Sequence, residues 1–404
     1  MKPTKIGIIR EGKNPPDSRV PLIPEQAREL KEQHPALDIS CQTSLNRCYT
    51  DAEYIAEGIN VVDDISDCDI LLGVKEVLLN QLIPDKTYLF FSHTIKEQPY
   101  NQDLLRYILD NNIRLIDYEC LVKDSKRVIA FGHWAGIVGA YNGLLGYGKR
   151  NGLFDLKRAK DCHDLLELKM ELSKIDLPGI KILLTGKGRV GMGALEILET
   201  AGIRKVNPKE FLTRSFKEPV FTQVDVDEYH RRIDGKSFEI SDFFQNPEAF
   251  ESIFLQYAKE VDLLISAIYW DPGAPKLFTL EQMQDPDFKI KLIADITCDI
   301  NGSIPSTQRA CTIADPFYDF DPYNNLLHAP FSSEQFVTVM AVDNLPDELP
   351  RDSSHDFGNQ LVENVLLDII SNNPSEMIEN ATITQNGSLT EKYQYLHNYA
   401  YRKK

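Results

Sequence analysis

The sequence predicts an α/β protein built on parallel sheets, and three observations carry that prediction. Short apolar runs alternate with helical patterns through the first ~130 residues, which is what crossover connections in a parallel sheet require. Residues 179–202, GIKILLTGKGRVGMGALEILETAG, place a strand-like run, a glycine turn and a helix in that order. At 404 residues the chain is long enough for about two domains with sizeable cores.

The elements follow in order. Residues 5–10 (KIGIIR) predict a first strand, and Pro15, Pro16 and Asp17 a loop. Residues 24–33 predict a helix with proline near its start. A second strand is expected over 39–43, then a short helix over 51–58 closed by Gly58. The runs 69–75 (DILLGVK) and 87–92 (TYLFFS) have the unbroken apolar character of buried strands. A helix over 101–111 and a strand over 113–117 complete one α/β domain of ordinary size. Residues 131–149 (FGHWAGIVGAYNGLLGYGK) are helical in pattern and rich in small residues. They are expected to cross between domains, with His133 and Trp134 packing at the junction. Further strands are expected over 261–268 (VDLLISAI) and 291–296 (KLIADI), while 207–258 is polar and irregular. A strand over 338–342 and a helix over 357–371 would return the chain to the first domain. Residues 372–404 read as a polar, Tyr-rich tail that frays at its end.

The glycine stretch has the clearest chemistry. Gly186, Gly188 and Gly191 form G-x-G-x-x-G, with Arg189 and Val190 inside it. The first glycine serves a tight turn, the second admits a pyrophosphate to the backbone, and the third lets helix pack on strand. The backbone N–H groups at the helix start then face the phosphates. Without a ligand, the same pattern is a tight packing turn.

Composition narrows the class. The net charge of −17 argues against a nucleic-acid or anionic-membrane surface but leaves room for a local basic pocket. No apolar run approaches the ~20 residues of a membrane span. The start, MKPTKIGIIREGK, has no apolar leader-like core, so a cytoplasmic location is expected. The seven cysteines are scattered without a C-x-x-C pair, which disfavours a zinc site or disulfide framework and fits a reducing compartment. No metal is expected. The three Asn-x-Ser/Thr matches at Asn301, Asn380 and Asn386 read as chance.

Ligands of doubly wound sheets bind beyond the carboxyl ends of the strands. Five apolar runs end in charge there: Arg10 and Glu11; Lys75 and Glu76; Ser92, His93, Thr94 and Lys96; Asp117 and Glu119; Asp295, Thr297 and Asp299. A single charged strand end is ordinarily solvated, but five in one sheet pattern predict a site. Lys75, leaving an apolar strand, suits a lysine of lowered pKa that carries protons. A solvated lysine with its stem on apolar surface is the plainer alternative. His93 suits proton transfer near neutral pH. Asp295 is placed to face a nicotinamide or, more plainly, to cap a turn. Arg10, Lys13, Arg19 and Arg127 are candidates to bind substrate carboxylates by bidentate pairing.

An acidic residue about 20 positions after the glycines would hold the NAD ribose. The next strand is expected near Lys205 and Val206, and Glu210 is the nearest acid to its end. Lys209 or Arg214 would instead take a 2′-phosphate, so the cofactor is NADP or NAD, leaning to NADP.

At FFSHTIKEQ (90–98), IRLIDYE (113–119), RVIAFGHWAG (127–136), AIYW (267–270), IADITCDINGSI (293–304) and AVDNLPDELPRDSS (341–354), a resemblance appears. The chain resembles the lysine–2-oxoglutarate reductase half of bifunctional aminoadipic semialdehyde synthase and, more distantly, the fungal lysine-forming saccharopine dehydrogenases. The opening IGIIREGKNPPDSRVPLIPEQ is similar to the wider alanine dehydrogenase and transhydrogenase group, whose motifs VKEV (74–77) and FSH (91–93) meet only in part. The resemblance implies two Rossmann-like doubly wound domains with the active site in the cleft between them. Residues 1–130 plus about 337–404 would form the substrate domain, and 131–336 the dinucleotide-binding domain. It implies pyridine-nucleotide-dependent condensation of lysine with 2-oxoglutarate to saccharopine, or the reverse, stopping there. Lys75 and His93 would be the acid–base pair; Lys96, Glu119 and Asp295 would shape the site; Arg10 and Arg127 would bind carboxylates. Partners would be small molecules, with homo-oligomerisation implied. A related amino-acid or imine dehydrogenase with another substrate, and a nucleotide-binding regulator without catalysis, are the competing readings.

Overall fold

A computed structural model of the chain describes residues 3–371 and 374–401. It divides into two compact units, one of residues 1–131 with 350–404 and one of residues 132–349.

The first unit begins with β1 (Thr4–Ile8), β2 (Leu37–Gln42), β3 (Asn60–Val62), β4 (Ile70–Leu72), β5 (Thr87–Phe90) and β6 (Arg114–Asp117). They pair in the order β3-β2-β1-β4-β5-β6, all parallel. The apolar runs form strands because crossover helices cover a parallel sheet on both faces. Ile6, Ile8, Leu71, Leu72, Leu89 and Phe90 are accordingly fully buried. Helix α1 (Pro24–Gln33) starts on the proline, whose missing N–H costs nothing at that position. Helix α2 (Gln102–Asp110) buries Leu104, Leu105, Ile108 and Leu109, the apolar positions one turn apart.

The second unit opens with α3 (Gly132–Asn151), the small-residue helix. It does not cross between domains as expected: the whole helix belongs to this unit, and Trp134, Ile137, Val138 and Tyr141 enter the unit's core. Its small residues serve a close helix pairing with α4 (Arg189–Thr200), since a Cβ on Gly136 would lie 1.9 Å from Val190 O. His133 Nε2 lies 3.0 Å from Glu196 Oε2 on the same helix α4. The unit's strands are β7 (Lys181–Thr185), β8 (Arg204–Lys205), β9 (Val220–Val224), β10 (Leu263–Ser266) and β11 (Leu292–Asp295). They are followed by β12 (Phe317–Asp321), β13 (Leu326–His328) and β14 (Val337–Met340). The sheet order is β8-β9-β7-β10-β11-β14-β12-β13, with β12 antiparallel to both its neighbours and the rest parallel.

Two expectations need correction here. The return to the first unit comes at Pro350 and not near residue 337, because β14 pairs with β11 and β12 inside the second sheet. The region 207–258 is not merely irregular. It supplies β9, helix α5 (Pro208–Thr213) and a two-stranded ribbon of His230–Arg232 with Phe250–Ser252, which packs on a small Phe243–Phe250–Ala274 core.

The chain then re-enters the first unit through α6 (Pro350–Leu361), whose Ser354 Oγ accepts from Val20 N at 2.9 Å. The Tyr-rich tail is structured: β15 (Thr382–Gln385) adds antiparallel to β6, β16 (Ser388–Leu389) adds to β15, and Tyr393 and Tyr399 are buried. The expected fraying at residues 402–404 lies outside the described residues. Among the described residues no helix is long and apolar enough to cross a membrane.

Candidate active site

Each sheet marks one crevice by its topology. In the first unit β2 lies on one side of β1 and β4 on the other, so connections leave in opposite directions and open a crevice beyond β1 and β4. Glu11 follows β1, and Lys75 follows β4. The Glu11 carboxylate accepts from Val74 N at 2.7 Å and Lys75 N at 3.0 Å, which pins the backbone that carries the lysine. Burial pushes the Glu11 carboxyl up to about 8, with the Asp17 charge adding to it. Burial also lowers the pKa of Lys75, and the Arg19 charge lowers it further. That is the state a proton-carrying lysine needs.

The next side chain is turned the other way chemically. Glu76 Oε1 lies 2.6 Å from His93 Nδ1, and its Oε2 accepts from Lys13 Nζ at 2.9 Å. Burial alone would raise this carboxyl, but the bonds from His93 and Lys13 outweigh it and hold it near about 2. His93 itself sits in the left-handed region at φ 53°. The residue before it is braced: Ser92 N donates to Asp117 Oδ2 at 3.0 Å, and the Ser92 hydroxyl bonds the same oxygen. Asp117 is fully buried, and burial lifts its carboxyl to about 6. It therefore serves as a brace for the His93 turn.

Lys96 and Arg127 both reach Glu119 Oε1, each at 3.3 Å, so these three predicted site residues gather at one place. Arg10 does not join them. It faces a separate groove of about 200 Å³ with Gln42, Asp64, Asn80 and Gln81, and its backbone N–H donates to Gln42 Oε1. Arg19 is buried in a two-point pair with Asp17, at 2.9 and 2.6 Å, and lies over the Phe131 ring. Sequence reasoning marked Glu11 and Glu76 as strand ends but did not assign them partners. The Asp17–Arg19 pair was missed, because Asp17 sits in a proline loop with no strand to mark it.

In the second unit the crevice opens between β7 and β10, where the strand order reverses. The glycine turn fills its rim. Gly186 has φ +90°, and a Cβ there would lie 2.4 Å from Ala267 O at the end of β10. A Cβ on Gly191 would lie 2.2 Å from Gly186 O, so the helix start can close onto the turn only as glycine. Gly188 faces open space and is exposed, and no side chain caps the helix that follows it. A dinucleotide's pyrophosphate would fit there: Gly188, Arg189, Val190 and Gly191 would present backbone N–H groups to it, while Gly186, whose N–H donates to Val224 O, makes the turn. Asp295 ends β11 and is 1% exposed. Its Oδ2 accepts from Thr307 at 2.6 Å, its Oδ1 from Cys298 N at 3.3 Å, and burial lifts it to about 6.

The acid expected close after the glycines is displaced. The strand following α4 is β8, but it lies at the outer edge, and the strand beside β7 is β9. The residue that leaves β9 is Asp225, half-buried beside the turn. The signal was VFTQVD at 220–225, an apolar run ending in an acid, hidden within a stretch that looks irregular. Among the described residues no group of His, Cys, Asp or Glu is arranged to hold a metal.

Residues 7–138 match the family described as alanine dehydrogenase/PNT, N-terminal domain. The chain is 31% identical over 440 residues to the alpha-aminoadipic semialdehyde synthase of Arabidopsis thaliana, covering 97% of this chain and 41% of that protein. The mitochondrial alpha-aminoadipic semialdehyde synthase of Rattus norvegicus is also 31% identical, with 97% and 47% covered. The chain thus spans less than half the length of these relatives. A saccharopine dehydrogenase [NAD(+), L-lysine-forming] of Schizosaccharomyces pombe is 25% identical, with 89% of this chain and 91% of that protein covered. Among solved structures an L-alanine dehydrogenase superposes with a TM-score of 0.64 at 17% identity, covering 96% of this chain and 97% of its own. Over nearly its whole length the chain is thus similar to the alpha-aminoadipic semialdehyde synthases and, at lower identity, to the lysine-forming saccharopine dehydrogenases, and its residues 7–138 match the N-terminal domain of the alanine dehydrogenase/PNT group.

Proposed function

We propose that the chain catalyses the reductive condensation of L-lysine with 2-oxoglutarate to saccharopine, or its reverse, with a nicotinamide dinucleotide. The observation that carries the reading is the juxtaposition at the first unit's crevice. A lysine of lowered pKa is followed by Glu76, which is hydrogen-bonded to His93 at 2.6 Å. The relatives' names support the substrate class.

The chemistry requires several proton movements. An amine of lysine adds to the ketone carbon of 2-oxoglutarate, and the carbinolamine loses water to an imine. The bound dinucleotide supplies the hydride that reduces the imine carbon. Lys75, whose pKa burial and the Arg19 charge lower, takes the proton from the attacking ammonium and returns one to the nitrogen. His93, oriented through Nδ1 by Glu76, gives a proton to the departing hydroxyl, so that water leaves. Glu11 holds the Lys75 backbone in place. Lys96 and Arg127, gathered around Glu119, are the cations placed for substrate carboxylates. Gly188, Arg189, Val190 and Gly191 would hold the pyrophosphate on the turn that Gly186 makes, and Asp295 would line the nicotinamide end.

The test is consumption of NADH or NADPH by the purified chain with 2-oxoglutarate and a panel of amines. Lysine-dependent consumption is expected. Consumption with another amino acid alone would keep the chemistry and discard the substrate. Nucleotide binding with no consumption for any amine would replace the reading with a regulator.

A further inference from the structure

We infer that Tyr399, in the C-terminal tail, is a positioning residue for Lys96; the inference rests on the reading that Lys96 binds a substrate carboxylate, and it gives the tail a part in that site.

The turn that carries Lys96 is costly to hold. Thr94–Lys96 is a single 3₁₀ turn, and the residues on either side of it are left-handed: His93 at φ 53° and Glu97 at φ 51°. Neither is a glycine, so each raises the free energy of the turn unless the surroundings offset it. The two ends are secured by different means. On the leading side Asp117 accepts from Ser92, and Glu76 bonds the His93 ring. On the trailing side Lys96 and Glu97 are exposed, and an anchor comes from the tail. The Tyr399 hydroxyl donates to Gln98 O at 2.5 Å. The same carbonyl accepts from Asn101 N at 3.0 Å, so both of its acceptor positions are taken.

The tyrosine is itself fixed. Helix α7 (His397–Tyr401) is tied to α2, where Arg106 Nε donates to Ala400 O at 2.9 Å, and Tyr399 is buried. The segment before it reaches the other half of the site. The Tyr393 hydroxyl donates to Asn380 O at 2.7 Å and lies within hydrogen-bonding reach of the Cys120 thiol, next to Glu119. The tail therefore touches both turns whose side chains, Lys96 and Glu119, meet at 3.3 Å. A freed trailing end would let Lys96 drift from that meeting point, and a misplacement of ~1 Å in a binding group costs up to about 10²-fold.

The experiment reads amide hydrogen exchange beside steady-state kinetics in the full chain. Tyr399→Phe keeps the buried ring and loses the hydroxyl. Exchange of the Lys96 and Glu97 amides, which bond His93 O and Thr94 O, should quicken about fivefold, the scale of one neutral hydrogen bond. KM for the substrate that Lys96→Ala also affects should rise by about the same factor, with kcat and NADH affinity within about twofold of wild type. Tyr401→Phe, which loses the tail's exposed bond to Asp110, should change neither exchange nor KM. In a Lys96→Ala background Tyr399→Phe should move KM by less than about twofold, because the side chain it positions is gone. Unaltered exchange in Tyr399→Phe, an equal effect from Tyr401→Phe, or a full rise in KM that persists without Lys96 overturns the inference and leaves the proposed reaction standing. No lysine-dependent consumption of reduced nucleotide by the wild type overturns both.

Discussion

The two crevices are built by different means. In the first unit the strand ends carry ionisable side chains, and packing sets their protonation: Glu11 pushed up to about 8, Glu76 held near about 2, Lys75 lowered. In the second unit the rim is backbone, shaped by Gly186 and Gly191, with an open Gly188. On the proposed reading the same topological device, a reversal of strand order, would serve side-chain chemistry in one case and anion recognition by N–H groups in the other. Damage to the first should strike turnover and spare nucleotide binding; damage to the second should strike nucleotide binding itself.

The largest effect is expected from Lys75→Met and His93→Gln. Each should lower kcat by about 10²-fold or more, the usual worth of a positioned proton carrier, with NADH affinity within about twofold of wild type. Steady-state kinetics beside nucleotide titration reads both. Equal losses in turnover and nucleotide affinity would break the division of labour.

Gly191→Val is the converse. Its Cβ would lie 2.2 Å from Gly186 O, so the helix must move off the turn, at about 1–3 kcal/mol for overpacking. Nucleotide affinity should fall by about tenfold or more and thermal stability should drop; a variant that binds nucleotide normally would show that the close approach is dispensable.

The two glutamates give opposite pH behaviour. Glu76 has a folded pKa depressed from 4.5 to about 2. Its stabilisation relative to Glu76→Gln should be present above about pH 4.5 and fade as the pH falls toward 2. Glu11 has a folded pKa raised from 4.5 to about 8. Its advantage over Glu11→Gln should be full below about pH 4.5 and fade as the pH rises through 8. Urea midpoints of the three proteins across pH 3 to 9 measure this, and parallel curves would refute the assigned environments.

The smallest effect separates two predicted substrate residues. Arg10 faces its own groove, whereas Lys96 joins Glu119. Arg10→Ala should change KM for either substrate by no more than about twofold, the scale of an exposed charge, and Lys96→Ala by more. A larger effect from Arg10 would return it to the site.

Much of the fold was legible in the sequence because parallel strands announce themselves as apolar runs, and the candidate site residues are those at which the runs end. Lys75, His93 and Glu119 could be marked from their strands, and Gly186, Gly188 and Gly191 from their spacing. What stayed hidden depends on pairing. That β8 lies outside β9, which moves the relevant acid to Asp225, is a fact of sheet order that no local pattern encodes. The return at Pro350 was misplaced for the same reason: β14 reads as a strand but does not say which sheet it joins. The tail's tyrosines looked like a solvated end, yet β15 finds a partner in β6, more than 250 residues earlier in the chain.

The most direct test is the identity of the product formed with deuterium-labelled NADH, lysine and 2-oxoglutarate, read by mass spectrometry. The account predicts one molecule joining both substrates with loss of water and carrying one deuterium. Reduced nucleotide consumed without a joined product, or a joined product free of deuterium, would contradict it.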